Sequence, residues 1–164
     1  FFRANKEKDL HGVHGKLVKK ELLNDFTFVE NKINEDIPYT YEMIKKAKNI
    51  VFVDEELYYY FKNSNGISNK SFNIEKMDLL DIWDDIYKRV EKEFPENIQL
   101  CIQNCKRARY TLLSKMFIDG YDKNNLELNR IHYELKRYVR KNYFDLLKIN
   151  MSFSRKLLLT FLII

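Results

Sequence analysis

Asn34-Glu35-Asp36 is the group of residues in this chain best suited to chemistry. A carboxylate at the start of a helix is held by backbone N–H groups, and the helix dipole favours its ionised form. In that state it can take a proton from a hydroxyl, which is the work of a general base in group transfer. Pro38 suits the first turn of such a helix, where no intrahelical N–H bond is needed. Taken alone, Asp36 reads as an ordinary helix cap. His11 and His14 stand at helical spacing and could form half a metal site. No further ligands complete it, so an acceptor-pocket or structural role is expected. Cys101 and Cys105 lie four apart on one helix face and read as buried thiols, with neither a disulfide framework nor a zinc set around them. The acids of Asp81-Ile82-Trp83-Asp84-Asp85 read as a solvated helix face, and His132 as a surface or half-buried helix residue.

These residues need elements to hold them. Residues 16–24 form a short amphipathic helix by periodicity. A second helix over Tyr39 to Lys48 follows Pro38, with Asp36 at its cap and Met43, Ile44 and Ala47 on one face. Asn49 to Val53 and Leu57 to Phe61 are β-branched and aromatic runs that read as two strands about the polar turn Asp54-Glu55-Glu56. If extended, Tyr58, Tyr59 and Tyr60 alternate faces, which reads as core packing on one face with partial exposure on the other, or alternatively as an aromatic wall beside a sugar. Asn63-Ser64-Asn65-Gly66 is a loop by composition. From residue 71 onward the pattern is helical throughout. Leu79, Trp83, Ile86, Val90 and Phe94 form one stripe, and Pro95 restarts a helix that Gly120 stops. A third stripe runs through Leu128, Ile131, Leu135, Tyr138, Val139 and Leu146. The expected fold is mainly α with a small β component.

Length and composition agree with that reading. At 164 residues, with 45% hydrophobic and 32% charged side chains, the chain can bury one sizeable core. Four glycines and two prolines leave little punctuation. The chain opens on Phe1-Phe2-Arg3 and closes on the apolar run Leu157 to Ile164, so both ends read as cut from a longer protein without a signal peptide. Eight apolar residues are too few to span a bilayer. The net charge of +5 is concentrated between Arg130 and Lys156, which carry a net +6. A basic segment leading into leucines fits an anionic membrane surface, and equally a nucleic acid or a solvated helix face.

The order of the segments adds a resemblance. Gly15-Lys16-Leu17-Val18-Lys19-Lys20-Glu21-Leu22-Leu23 leads through Phe26-Thr27-Phe28 to Asn34-Glu35-Asp36. Ala47-Lys48-Asn49-Ile50-Val51-Phe52-Val53 follows, then Leu57-Tyr58-Tyr59-Tyr60 and Asn65-Gly66-Ile67-Ser68. This block, covering residues 14–75, resembles the later part of bacterial family-2 glycosyltransferases that build capsule, lipopolysaccharide or teichoic-type glycans. There a "GKLYKKELF" helix, an "ED" pair, an "AKKIVYIDEPLYYYR" strand pair and an "NSIS" loop occur in the same order.

The resemblance implies that residues 1–70 are the acceptor-side part of a GT-A catalytic domain, an incomplete α/β edge, and that 71–164 are a C-terminal helical cluster. It implies inverting transfer of a sugar from a nucleotide-diphosphate donor to a glycan or lipid-linked acceptor. By position, Asp36 would be the general base and Glu35 its acidic partner. Asn34, His14, Tyr60, Lys62 and Ser68 would contact substrates. A divalent metal (Mg or Mn) would serve the full-length parent, with its ligands and the nucleotide-binding half upstream and none in this chain, so the fragment alone would be inactive. Two departures stand out. Phe61 occupies the place of an Arg that would face the leaving diphosphate, and Gly66 that of a Ser. Gln-x-x-Arg-Trp, the processive signature, is absent, which points to single-sugar addition. The parent is expected in the cytoplasm, peripheral at the inner membrane face through residues 130–164, and without a nucleic-acid partner. The alternative is a non-enzymatic basic helical module that binds membrane surface or nucleic acid.

Overall fold

The computed structural model describes residues 1–2, 11–24, 26–28, 32–59, 61 and 71–164. Six α-helices carry the fold: α1 (Asp36–Lys46), α2 (Asp78–Glu93), α3 (Ile98–Ile118), α4 (Leu126–Lys141), α5 (Tyr143–Lys148) and α6 (Phe153–Ile163). The fold is mainly α, as the stripes imply.

α3 is the axis about which the rest packs. Its Cys101 and Ala108 join Ile37 and Tyr41 of α1 and Trp83, Ile86 and Val90 of α2 in one core. Its Tyr110, Leu113 and Met116 join α4, α5 and α6 in a second core that includes Leu135, Val139, Leu146 and Leu159. A helix with apolar residues on two faces must be covered on both, and α3 is. It ends where Gly120 takes a left-handed φ of +71°, a conformation that costs other L-residues roughly 1 kcal/mol. Asn125 then caps α4, its side chain accepting from the N–H groups of Glu127 at 3.0 Å and Leu128 at 3.1 Å.

α1 is fastened to α2 by charge as well as by packing. Lys45 meets Glu93 at 2.9 Å, Arg89 pairs with Glu42, and the Tyr41 hydroxyl donates to Glu93 at 3.3 Å. Burial, and then the Glu93 carboxylate, push the Tyr41 hydroxyl up to about 12. The Thr40 hydroxyl donates to the carbonyl of His11 at 2.5 Å, which ties residues 11–12 to α1. The first segment and the helical second segment thus share a core.

Three expectations need correction. The strand pair is not formed among the described residues, and an isolated parallel bridge between Phe72 and Tyr121 is the β-pairing found there. Val51 (82% exposed) and Tyr59 (87%) lie open to solvent. A strand is held by its partner's hydrogen bonds, and the described residues offer these runs no partner. In place of a helix over 16–24 there is a short 3-10 turn, Lys20–Leu23, with no buried residue. Leu17 is fully exposed, so nothing apolar drives a longer helix there. Finally, Asp36 is the first residue inside α1 rather than its cap. Glu35 holds the cap position, without a side-chain capping bond.

Candidate active site

The turn that delivers Asp36 is set by local chemistry. Asn34 adopts a left-handed φ of +65°, which asparagine tolerates better than most residues, and its carbonyl accepts from the Ile37 N–H at 3.1 Å. Asp78, at the start of α2, holds the approach to this turn. It pairs with Lys32 at 2.8 Å and accepts from the Ile33 N–H at 3.4 Å. Donating this hydrogen bond to Asp78 raises the Lys32 ammonium above its ordinary range. Asp36 therefore sits in the first turn of α1, where the positive end of the helix dipole favours the carboxylate.

Asn34 and Asp36 line a cavity of about 520 Å³ between the start of α1 and the flank of α3. One wall is apolar and aromatic, with Ile37, Leu79 and Trp83. The lining also carries four cations, Lys76, Arg107, Lys115 and Arg155, and the polar groups of Asn104 and Thr111. Arg107, Thr111 and Lys115 repeat every four residues and so form one stripe of α3.

Each cation is held by its neighbours. Lys76, 6% exposed, lies 3.5 Å from Asp119. Arg107, 5% exposed, donates to the Asn150 carbonyl at 3.1 Å. Arg155 donates to the Thr111 hydroxyl at 3.3 Å, with its guanidinium 5.3 Å from the centre of the Tyr110 ring. Among the described residues the lining carries these four cations and one carboxylate, Asp36, with Asp119 beside Lys76.

The residues expected from the sequence divide into three groups. Asn34 and Asp36 face the cavity. Glu35 is half-buried but outside the lining, and His14 is exposed with its ring 5.7 Å from that of Tyr58. Tyr60, Lys62 and Ser68 lie outside the described residues. The histidine in the cavity is His11, buried between the rings of Phe1 at 4.9 Å and Trp83 at 5.5 Å. His132 is half-buried and stacked on Tyr121, and burial lowers its pKa. Asp81, Asp84 and Asp85 are exposed as expected, but Trp83 among them turns inward to the cavity.

Sequence reasoning missed the cavity's cations except as contributions to net charge. The available signal was the four-residue repeat of Arg107, Thr111 and Lys115, which puts two cations on one otherwise buried helix. Among the described residues, no three His, Cys, Asp or Glu side chains converge to hold a metal ion. Also among the described residues, no helix is long and apolar enough to cross a membrane. No protein-family model, curated protein or solved structure matches this chain.

Proposed function

We propose that this chain is the acceptor-side and C-terminal helical part of an inverting family-2 glycosyltransferase of cell-envelope polysaccharide synthesis, with Asp36 as its general base. The observation that carries the proposal is that Asn34 and Asp36, drawn from the ordered block 14–75, open into a cationic cavity rather than onto bare surface. In this reading the acceptor hydroxyl approaches Asp36. Its oxygen bonds to the anomeric carbon from the face opposite the nucleotide-diphosphate, the bond to the diphosphate breaks, and the proton passes to the Asp36 carboxylate. The carboxylate lies in the first turn of α1, where the positive end of the helix dipole favours its charged form. Glu35 shapes the turn from outside the cavity. The donor-binding half and any divalent metal belong to the upstream part of the parent, and the parent works in the cytoplasm at the inner membrane face.

The test is transfer by the parent enzyme carrying Asp36→Asn. Amide for carboxylate preserves shape, so the circular dichroism spectrum should be unchanged while transfer falls by roughly two to four orders of magnitude. Full activity in this variant removes Asp36 from the mechanism.

One observation favours a second reading, a basic module held at an anionic membrane. Phe153, Leu157, Phe161 and Ile164 are exposed and recur along one face of α6, with Phe117 of α3 beside Phe161 at 5.5 Å. α4 offers the exposed cations Arg130, Arg137, Arg140 and Lys141. Sedimentation with phosphatidylglycerol vesicles but not phosphatidylcholine vesicles supports this reading, and equal sedimentation with both counts against it.

A further inference from the structure

We propose that residues 48–54 are a self-association surface, through which two copies of this chain pair as antiparallel strands centred on Val51. The surface uses none of the residues at the cavity and is independent of any part the chain takes in glycosyl transfer.

The fold leaves this run uncovered. Ile50, Val51, Phe52 and Val53 are each more than half exposed, and they take no regular secondary structure. Among the described residues, no backbone hydrogen bond involves these four, and no ion pair involves Lys48 or Asp54. Successive β-branched and aromatic side chains with open N–H and C=O groups are a template for strand pairing. The flanking charges select the partner. Lys48 stands three residues before Val51, and Asp54 three residues after it. Antiparallel pairing with a second copy therefore sets each Lys48 against the other copy's Asp54. Parallel pairing in register would set lysine against lysine and aspartate against aspartate, which is unfavourable.

The pleat then fixes the register. In a two-fold antiparallel pair, facing residues point to the same side of the sheet, so the centre falls on a residue. With Val51 at the centre, Ile50 of each copy faces Phe52 of the other, between two Lys48–Asp54 pairs on the same side. Val51 faces its own equivalent on the opposite side, and Asn49 faces Val53. With Ile50 at the centre, Lys48 would face Phe52. With Phe52 at the centre, Ile50 would face Asp54. Both of those registers oppose a charge to an apolar side chain, and the Val51 register does not. Two short strands that must first be ordered gain little, so the association is weak and depends on concentration.

Sedimentation velocity of the protein at low salt, from about 1 μM to about 500 μM, reads this association. The mass should rise reversibly from 20.0 kDa toward twice that value and stop there. Lys48→Glu sets a glutamate against Asp54, and Asp54→Lys sets a lysine against Lys48, twice per dimer in each case. Each variant should weaken association about fivefold or more. An equimolar mixture of the two should regain it, because every facing pair is then of opposite charge. Both positions are exposed, so the variants keep the fold, which a thermal melt checks. Arg137→Glu, on the exposed face of α4, should leave the dimer unaltered. A monomer at every concentration overturns the inference, as does association that both single variants leave unchanged. Growth past the dimer, or a mixture no tighter than its components, overturns the antiparallel pairing. Asp36→Asn should leave dimerisation intact, so this proposal and the assignment of the base fail separately.

Discussion

Replacing Tyr110 by Phe removes one oxygen from the junction between α3 and α6 and nothing else. The side chain is fully buried, and its hydroxyl donates to the Arg155 carbonyl at 2.6 Å. Arg155 lies in the first turn of α6, so its carbonyl also accepts the helix's own N–H four residues on. The acceptor is therefore not orphaned, and the larger penalty for an unsatisfied buried group does not apply. What is lost is a neutral hydrogen bond and a hydroxyl-sized volume, about 1 kcal/mol net. For a chain of 164 residues that lowers the Tm by roughly 2 to 4 °C. Urea denaturation should give the same loss from a shifted midpoint at unchanged slope, since the surface exposed on unfolding is nearly the same. A stability change below about 0.3 kcal/mol would show that the bond is not made in solution. A loss above about 3 kcal/mol would show that α6 depends on Tyr110 far more than this geometry allows.

Three further predictions test the frame around the site. Asn125→Ala should cost about 1 kcal/mol in chemical denaturation because two N–H groups of α4 lose their acceptor, whereas Asn125→Asp should keep most of it. Tyr41 stays protonated in the fold up to about pH 12, whereas an unfolded tyrosine ionises near its ordinary value of 10.0. The folded state then binds more protons between those values, so stability declines as pH rises from 10 to 12, by at most about 2 to 3 kcal/mol. Tyr41→Phe should flatten that decline in melts taken across this range, and an unchanged slope counts against a buried Tyr41. The hydrogen bond with Cys105, together with burial, pushes the Cys101 thiol up, and Cys101 is 0% exposed. It should resist iodoacetamide in the native protein and react only on unfolding, as read by mass spectrometry of Cys101 peptides.

The helical half was legible because its signals are local. Trp83, Ile86 and Val90 recur at helical spacing and are the residues α2 buries, while Leu128, Ile131, Leu135 and Val139 do the same for α4. Gly120 and Asn125 mark the boundary between α3 and α4 by their backbone chemistry. Among the described residues the runs at 49–53 and 57–61 form no strand pair, because β-branched and aromatic content records suitability for a sheet, and a sheet within one chain also needs a partner that local sequence does not specify. The helix at 16–24 shrinks to a 3-10 turn because Leu17 is fully exposed and Lys20–Leu23 contains no buried residue. At the site, Asp36 could be found from its neighbours along the chain. Its cationic surroundings could not, because Lys76, Arg107, Lys115 and Arg155 come from three distant segments that meet only when α3 and α6 pack. His11 and His14 show the same limit, since only the fold separates the buried ring from the exposed one.

The most direct test of the central claim compares the parent enzyme with its Asp36→Asn variant in one preparation. Sugar transfer is measured with radiolabelled donor, and folding by circular dichroism and thermal melts of the same proteins. Transfer should fall by orders of magnitude while the fold and its melting temperature stay unchanged. Undiminished transfer in the folded variant would contradict the assignment of Asp36 as the general base.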